Sequence, residues 1–353
     1  MIQPLTSAKQ SPYQRILEKT YERRIPFTAH LEVTHRCNLR CLHCYLEAGA
    51  GDNELRLDEW ETVLSALAQA GTLFLVVTGG EPMLREDIFD ILAAAQRLGF
   101  AVRLLTNGTL IDSPAAEKLA RCNLLGVDIS LYAMDAGVHD AITRVPGSHA
   151  CTLQAVRLCR EQGMRVAVKT PLMKLNIGEF DDLSAFAEQV GASFVFDYYL
   201  IPGADGRDLM STLGLSKEQI RDFIGAQVDH DAVSASPEAP RPHDPVCGAG
   251  ANAVCISADG AVLPCLGYRV TMGNVRRQAL KDIWCSPFLD RLSRARYAEY
   301  VECAGCENAA FCSRCPGAVQ AETGCPLGKS GIACMIAEAT RQAMSKANGK
   351  AVQ

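Results

Sequence analysis

Three cysteines carry the first chemistry in this chain. Cys37, Cys41 and Cys44 lie in Thr-His-Arg-Cys-Asn-Leu-Arg-Cys-Leu-His-Cys-Tyr, a Cys-x3-Cys-x2-Cys spacing. Three thiolates can hold three corners of a 4Fe–4S cube and leave one iron free to bind and reduce a small molecule. A structural zinc or an electron-transfer cluster would normally take a fourth protein ligand nearby. No further cysteine follows until Cys122, although His35 and His43 could complete a zinc site.

The other residues with chemical promise are spread along the chain. Thr78-Gly79-Gly80-Glu81-Pro82 joins two glycines, which permit close backbone approach, to a carboxylate that can accept from an ammonium. Read without context, the same segment is a glycine-rich turn with an acidic helix start. Thr106-Asn107-Gly108 can bond a sugar hydroxyl or simply turn the chain. Ser130 and Arg144, taken singly, read as structural or solvated residues. Near the other end, Cys247, Cys255 and Cys265 precede Cys303-x2-Cys306-x5-Cys312-x2-Cys315, then Cys325 and Cys334. Spacing alone leaves zinc and iron–sulfur both open for this second group.

The elements that must position these residues follow from apolar periodicity. Buried strands are predicted at Ala29–Thr34, Leu73–Thr78, Ala101–Thr106, Gly126–Leu131, Met164–Thr170 and Ser193–Tyr198. Amphipathic helices fall between them near 58–70, 86–98, 113–121, 149–162 and 179–190. Helix starts are expected at Ser113-Pro114, at Asp58 with Glu61, and at Ser216 with Gln219. Alternating strands and helices imply a parallel sheet with helices outside, and six units fall two short of a closed eight-unit barrel. The expected fold is therefore α/β, a partial (β/α)6 TIM-like barrel with a cysteine-rich C-terminal extension. Its site should lie at the carboxyl ends of the strands, where the cysteine trio falls. The division expected is an N-terminal extension at 1–27, a barrel at 28–202, a bridging helix and proline-rich linker at 203–246, a cysteine-rich module at 247–340 and a tail at 341–353. Asp259-Gly260 predicts a hairpin that returns Cys265 toward Cys247 and Cys255.

Composition bounds the setting. The chain has 353 residues, a net charge of −5 and 48% hydrophobic content, with no long basic run to suit a nucleic acid. Its N-terminus is polar, and its strongest apolar run, Leu73 to Val77, is far too short to span a membrane. A cytoplasmic protein is expected. Sixteen cysteines in that setting point to metal ligation, not disulfides, because cytosolic thiols stay reduced. Cys122, Cys151 and Cys159 are expected to be small buried residues, and Cys285 structural.

Taken together, the cysteine trio followed by Tyr45 and Gly-Gly-Glu-Pro after the second strand strongly resembles the radical SAM enzymes over about 28–200. The resemblance implies that Cys37, Cys41 and Cys44 hold a 4Fe–4S cluster whose open iron binds the amino acid end of S-adenosylmethionine. It implies reductive cleavage to a 5′-deoxyadenosyl radical that abstracts hydrogen from substrate. Gly79, Gly80 and Glu81 would then receive the methionine ammonium. Thr106 and Asn107 would approach the ribose, Ser130 and Arg144 the ribose or methionine carboxylate, and Tyr45 the adenine.

The later cysteines resemble the SPASM extension of that family, which implies two auxiliary 4Fe–4S clusters and three in all. One would take Cys247, Cys265 and Cys315, with Cys255 or Cys325 as a fourth ligand or none. The other would take Cys303, Cys306, Cys312 and Cys334. The Cys312-x2-Cys315 gap is one residue shorter than the family's usual gap. Ser130-Leu-Tyr132, His139-Asp140 and Lys169–Asn176 look most like peptide maturases. That likeness implies oxidative cross-linking of a precursor peptide, by a thioether or carbon–carbon bond. An implied partner is an electron donor such as flavodoxin or ferredoxin; since only about 28 residues precede the barrel, either a separate protein supplies leader binding or the enzyme binds its peptide without one. Alternative haem synthesis, and a non-catalytic cysteine-rich metal-binding protein, are the competing readings. No acid or base is assigned, although Asp197, Tyr198 and Tyr199 end the sixth strand.

Overall fold

The computed structural model describes residues 11–46, 53–227 and 239–350, with side chains to 345. Six strands run β1 Thr28–Glu32, β2 Phe74–Thr78, β3 Ala101–Thr106, β4 Gly126–Ser130, β5 Val166–Pro171 and β6 Ser193–Asp197. All pair in parallel with their sequence neighbours. The helices Leu57–Ala70, Ile88–Arg97, Ser113–Arg121, Ser148–Glu161 and Phe180–Gln189 fall between them, close to where periodicity puts them. Alternate strand residues such as Ala29, Leu31, Leu75, Val77, Val127 and Ile129 enter one apolar core with Trp60, Leu64, Ile91 and Leu119 of the helices. The intervening residues, His30, Glu32, Ser130, Lys169, Val195 and Asp197, therefore face the opposite side of the sheet.

The expected hairpin is present. Strands β7 Ala253–Ile256 and β8 Ala261–Leu263 pair antiparallel, with Gly260 at φ +85° in the turn, and β9 Gly273–Asn274 follows. Its placement was not anticipated: β7 pairs in parallel with β1, so one sheet runs β6-β5-β4-β3-β2-β1-β7-β8-β9. Val254, Ile256, Val262 and Leu289 share the core of the first six units. The sheet stays open, with β6 and β9 at its two edges.

Local details correct several expectations. Asp112, not Ser113, caps its helix, accepting from Ala115 N at 2.9 Å. The helix at 57 is capped by Arg56 and Glu59, whose Oε2 accepts from Arg56 N at 2.9 Å, so the Asp58–Glu61 pairing is one step out of register. The Ser216–Gln219 box is formed in both directions, at 2.9 and 3.2 Å. Helices Pro12–Glu22 and Ala136–Thr143 were not expected; the second starts Ala-Gly and shows little apolar period. Of the proline-rich segment, 239–245 is described and carries no helix or strand, while 228–238 and the tail beyond 350 lie outside the described residues. Cys159 is buried as expected, but Cys122 is only half-buried and Cys151 is exposed on its helix; Cys285 is exposed after Leu280–Trp284.

Arg276, just past β9, joins the C-terminal part to the barrel. It donates to both Glu59 oxygens (2.6 and 3.0 Å), to Asn53 O and Oδ1 (2.9 and 2.8 Å) and to Glu54 O (2.9 Å). The guanidinium pulls the Glu59 carboxyl down to about 2. A carboxyl depressed by folding stabilises above its unfolded pKa of about 4.3, and that contribution disappears as pH falls toward 2. Arg276→Ala should therefore cost on the order of 1 kcal/mol at neutral pH, as a partly exposed pair does. Denaturant titrations should show the gap to the parent protein closing between pH 4 and about 2. A gap independent of pH would assign the effect to the carbonyl contacts instead.

Candidate active site

The loop that carries the cysteine trio leaves β1 and is laid directly on the glycine pair after β2. Val33 N donates to Thr78 O (2.8 Å), Gly80 N to Thr34 O (2.7 Å) and Glu81 N to Arg36 O (2.8 Å). A Cβ on Gly79 would stand 2.3 Å from Thr34 O, and one on Gly80 2.2 Å from Arg36 O. Gly79 also takes φ +148°, a region suited to glycine. The glycines are thus needed for the cysteine loop to seat, one residue before Cys37. Glu54 braces the same turn, accepting from Thr34 Oγ1 at 2.5 Å and His35 N at 2.9 Å. Farther along, Arg40 N and Leu42 N donate to Thr143 O and Ile142 O at the end of the Ala136–Thr143 helix. Arg144 follows that helix end, exposed, in the left-handed region at φ +59°.

Glu81 is fully buried, and its carboxylate is engaged within the chain. Oε1 accepts from Thr106 Oγ1 (2.7 Å) and Met83 N (3.0 Å), and Oε2 from Asn107 N (2.7 Å). Burial raises its pKa against the pull of those donors. Its role here is to tie the ends of β2 and β3 together, which aims Asn107. Asn107 Nδ2 then lies 3.8 Å from Cys37 Sγ and 3.0 Å from Asn38 Oδ1.

Cys37, Cys41 and Cys44 are close enough for their charges to interact. Burial, then neighbouring charges, pushes Cys37 up to about 11 and Cys41 to about 12. Such thiols are protonated as the chain stands, and a metal ion or cluster bound there would displace the protons. Thiolates around one zinc would stand roughly 3.8 Å apart, given a Zn–S bond of about 2.3 Å. Among the described residues no three His, Cys, Asp or Glu side chains form a single-ion site. Of the two histidines that could have completed one, His35 Nε2 bonds Ser257 Oγ at 2.8 Å, whereas the buried His43 packs edge-on against Tyr132 and its Nδ1 has no hydrogen-bond partner. Three soft sulfurs grouped on one short loop are a donor set that fits an iron–sulfur cube.

Tyr132 was missed by sequence reasoning. Its hydroxyl lies 3.9 Å from Cys41 Sγ and beside Ser130, which places Ser130 near the cysteine loop. Tyr45 turns its hydroxyl to Glu32 Oε1 (3.1 Å). Glu32 was also missed, although an acidic residue ending the first strand of a barrel was a usable signal. Asp197 is exposed at the carboxyl end of β6, while Tyr198 and Tyr199 are half-buried in a second apolar cluster with Phe180 and Ile220.

The later cysteines form two groups. Cys247, Cys265 and Cys315 interact mutually, and Cys325 and Cys265 both lie near Tyr268. Cys255 is fully buried on β7, near Cys265 but also against Glu32 and Arg269. The second group comprises Cys303, Cys306, Cys312 and Cys334, and Arg314 donates to Cys303 Sγ at 3.2 Å.

The chain matches the Radical SAM superfamily over residues 31–187 and the SPASM iron–sulfur cluster-binding domain over 247–307. It is 31% identical over 301 residues to the PqqA peptide cyclase of Rhodopseudomonas palustris, covering 80% of this chain and 79% of that protein. The chain belongs to the radical SAM superfamily. This radical SAM protein is also 26% identical to the AdoMet-dependent heme synthase of Methanosarcina barkeri, over 83% of this chain and 92% of the other. Streptococcus suis SuiB bound to S-adenosylmethionine superposes with a TM-score of 0.68 at 19% identity, over 94% of this chain and 83% of SuiB. SuiB has also been solved with its precursor peptide SuiA, and that structure superposes with a TM-score of 0.67. These structures share the partial-barrel fold. The protein is therefore an enzyme that uses S-adenosylmethionine and iron–sulfur clusters, and the non-catalytic reading falls. Among the described residues no helix is long and apolar enough to cross a membrane.

Proposed function

We propose that this radical SAM enzyme oxidatively modifies a ribosomally made precursor peptide, closing a thioether or carbon–carbon cross-link. The observation that carries this reading is the 31% identity to a peptide cyclase across four fifths of both chains. SuiB, a neighbour in fold, binds a precursor peptide. Cofactor biosynthesis by the same chemistry is the second reading, favoured by the match over nearly the whole length of a heme synthase.

Three 4Fe–4S clusters are proposed. Cys37, Cys41 and Cys44 hold the first; Cys247, Cys265 and Cys315, with Cys255 or Cys325 or no fourth residue, hold the second; Cys303, Cys306, Cys312 and Cys334 hold the third. We assign the barrel to 28–202 and the auxiliary module to 247–340. When bound, the first cluster and S-adenosylmethionine supply a 5′-deoxyadenosyl radical that takes hydrogen from carbon, and the auxiliary centres would accept the electron, and solvent the proton, released as the cross-link closes. The chain's own residues prepare that event. The backbone of Gly79 and Gly80 carries the cysteine loop and, in this reading, receives the methionine ammonium. Glu81 holds Asn107 in place through its carboxylate. Thr106, Asn107, Ser130, Arg144 and Tyr45 bound the nucleoside and amino acid ends of the cofactor. Arg314 donates to Cys303 Sγ, and a cluster held there would have a cation beside it that raises its potential. A flavodoxin or ferredoxin is the proposed electron donor, and a separate protein the leader binder.

Anaerobically reconstituted enzyme, given S-adenosylmethionine, a reductant and short peptides encoded beside its own gene, should form 5′-deoxyadenosine and a peptide lighter by two hydrogens. Conversion of a porphyrin precursor with no peptide change would favour the second reading. Full iron loading without 5′-deoxyadenosine would overturn both.

A further inference from the structure

A buried polar group that shares Tyr45 with the proposed cofactor site joins the two halves of the chain. Glu32, at the end of β1, is 0% exposed. Its Oε1 accepts from Arg269 Nη1 at 2.5 Å and its Oε2 from Arg269 Nη2 at 3.2 Å, a two-pronged pair. Tyr45 Oη donates to the same carboxylate at 3.1 Å, and the Arg269 guanidinium lies over the Tyr45 ring, 5.2 Å from its centre. His35 Nε2 stands 3.8 Å from Glu32 Oε2 and is held by Ser257 Oγ at the end of β7. Cys255 packs against this group from β7.

What this group connects gives it meaning. Tyr45 directly follows Cys44. Arg269 directly follows Tyr268, whose amide bonds Cys265 O at 3.2 Å in a tight turn. Tyr268 is itself only 1% exposed, so Arg269 moves with Cys265. Glu32 grips both, and it ends the strand that pairs with β2 on one side and β7 on the other. Burying a carboxylate and a guanidinium brings little net stability over an apolar pair, so stability alone does not account for them. Directional contacts of this kind do fix geometry.

We infer that Glu32, Arg269 and Tyr45 form a positioning clamp that sets the Cys44 loop against the Cys265 loop. The centre where the radical is made is thereby held at a constant separation from the first auxiliary centre. This rests on the reading of Cys44 and Cys265 as ligands of two different clusters.

Hydrogen–deuterium exchange on the full-length, iron-loaded chain tests the clamp. Arg269→Met should raise exchange at least tenfold in 39–46, a segment far from it in sequence, as well as in 265–272. Exchange in the Leu57–Ala70 helix should stay unchanged. Because Arg269→Met leaves a buried carboxylate alone, the paired change Glu32→Gln with Arg269→Met removes both charges and should give the same pattern without loss of folding. In the paired variant the microwave-power saturation of the reduced first cluster, which reports its distance from the other paramagnetic centres, should shift at full iron content. Loosening confined to 265–272, or an unchanged saturation curve in the folded paired variant, would overturn the clamp. Parent protein lacking auxiliary iron would instead overturn the ligand reading, and the exchange pattern would still report on the clamp.

Discussion

Enzyme in which Cys37, Cys41 and Cys44 are all replaced by alanine should form no 5′-deoxyadenosine above background while keeping about two thirds of its iron, if the three four-iron clusters proposed above are those it holds. The expectation rests on where the sulfurs lie. The loop is seated by backbone bonds from Gly80 and Glu81 to Thr34 and Arg36, and from Arg40 and Leu42 to Thr143 and Ile142. None of those bonds uses a cysteine side chain. The three cysteines lie on a loop past β1, and of them only Cys41 packs on an apolar cluster, so three alanines remove ligands at little cost in core packing. The two later cysteine groups each interact within themselves. Iron analysis together with product chromatography decides the matter. Loss of all the iron would show that the trio supports the whole assembly. Retained cleavage would show that another group makes the radical.

Much of this was legible before any coordinates, and the reason is local. Val76 and Val77 in β2, Leu104 in β3 and Ile129 in β4 stand in short apolar runs bounded by turn residues, and each helix between repeats its apolar face. Gly79, Gly80 and the cysteine trio are short motifs whose meaning comes from standing just past a strand. What could not be read is non-local. Nothing near Ala253 says that it will lie beside Thr28, because parallel pairing is decided by the whole sheet. The Glu32–Arg269 pair depends on that same placement, so the position of Glu32 was a signal but its partner was not readable. Glu81 was legible as a carboxylate near a ligand, but its three internal donors come from the next turn and from β3. The glycines were read as leaving room for a ligand, whereas the nearest atoms to both are backbone atoms of the cysteine loop.

Glu81→Ala should cost more than any other single change outside the cysteines. The carboxylate accepts three hydrogen bonds in a place water does not reach, and alanine would leave Thr106 Oγ1, Asn107 N and Met83 N without an acceptor. Each buried donor left unpaired costs about 1–3 kcal/mol, so the total is on the order of 3–6 kcal/mol once neighbours relax. Glutamine separates this bracing role from the charge. Its single oxygen can keep the bonds to Thr106 and Met83, while its amide nitrogen meets the Asn107 amide, donor against donor. One bond is then lost, for about 1–3 kcal/mol, and it is the bond that aims Asn107 at Cys37. Glu81→Gln should therefore be less destabilised than Glu81→Ala yet lose S-adenosylmethionine binding by tenfold or more, with an altered spectrum for the first cluster at full iron content. Denaturant titration, equilibrium binding and electron paramagnetic resonance on the same preparations test this. If glutamine matched the parent in all three while alanine only lost stability, Glu81 would be a brace for β2 and β3, and the aim of Asn107 would have to come from Asn38 and Thr109.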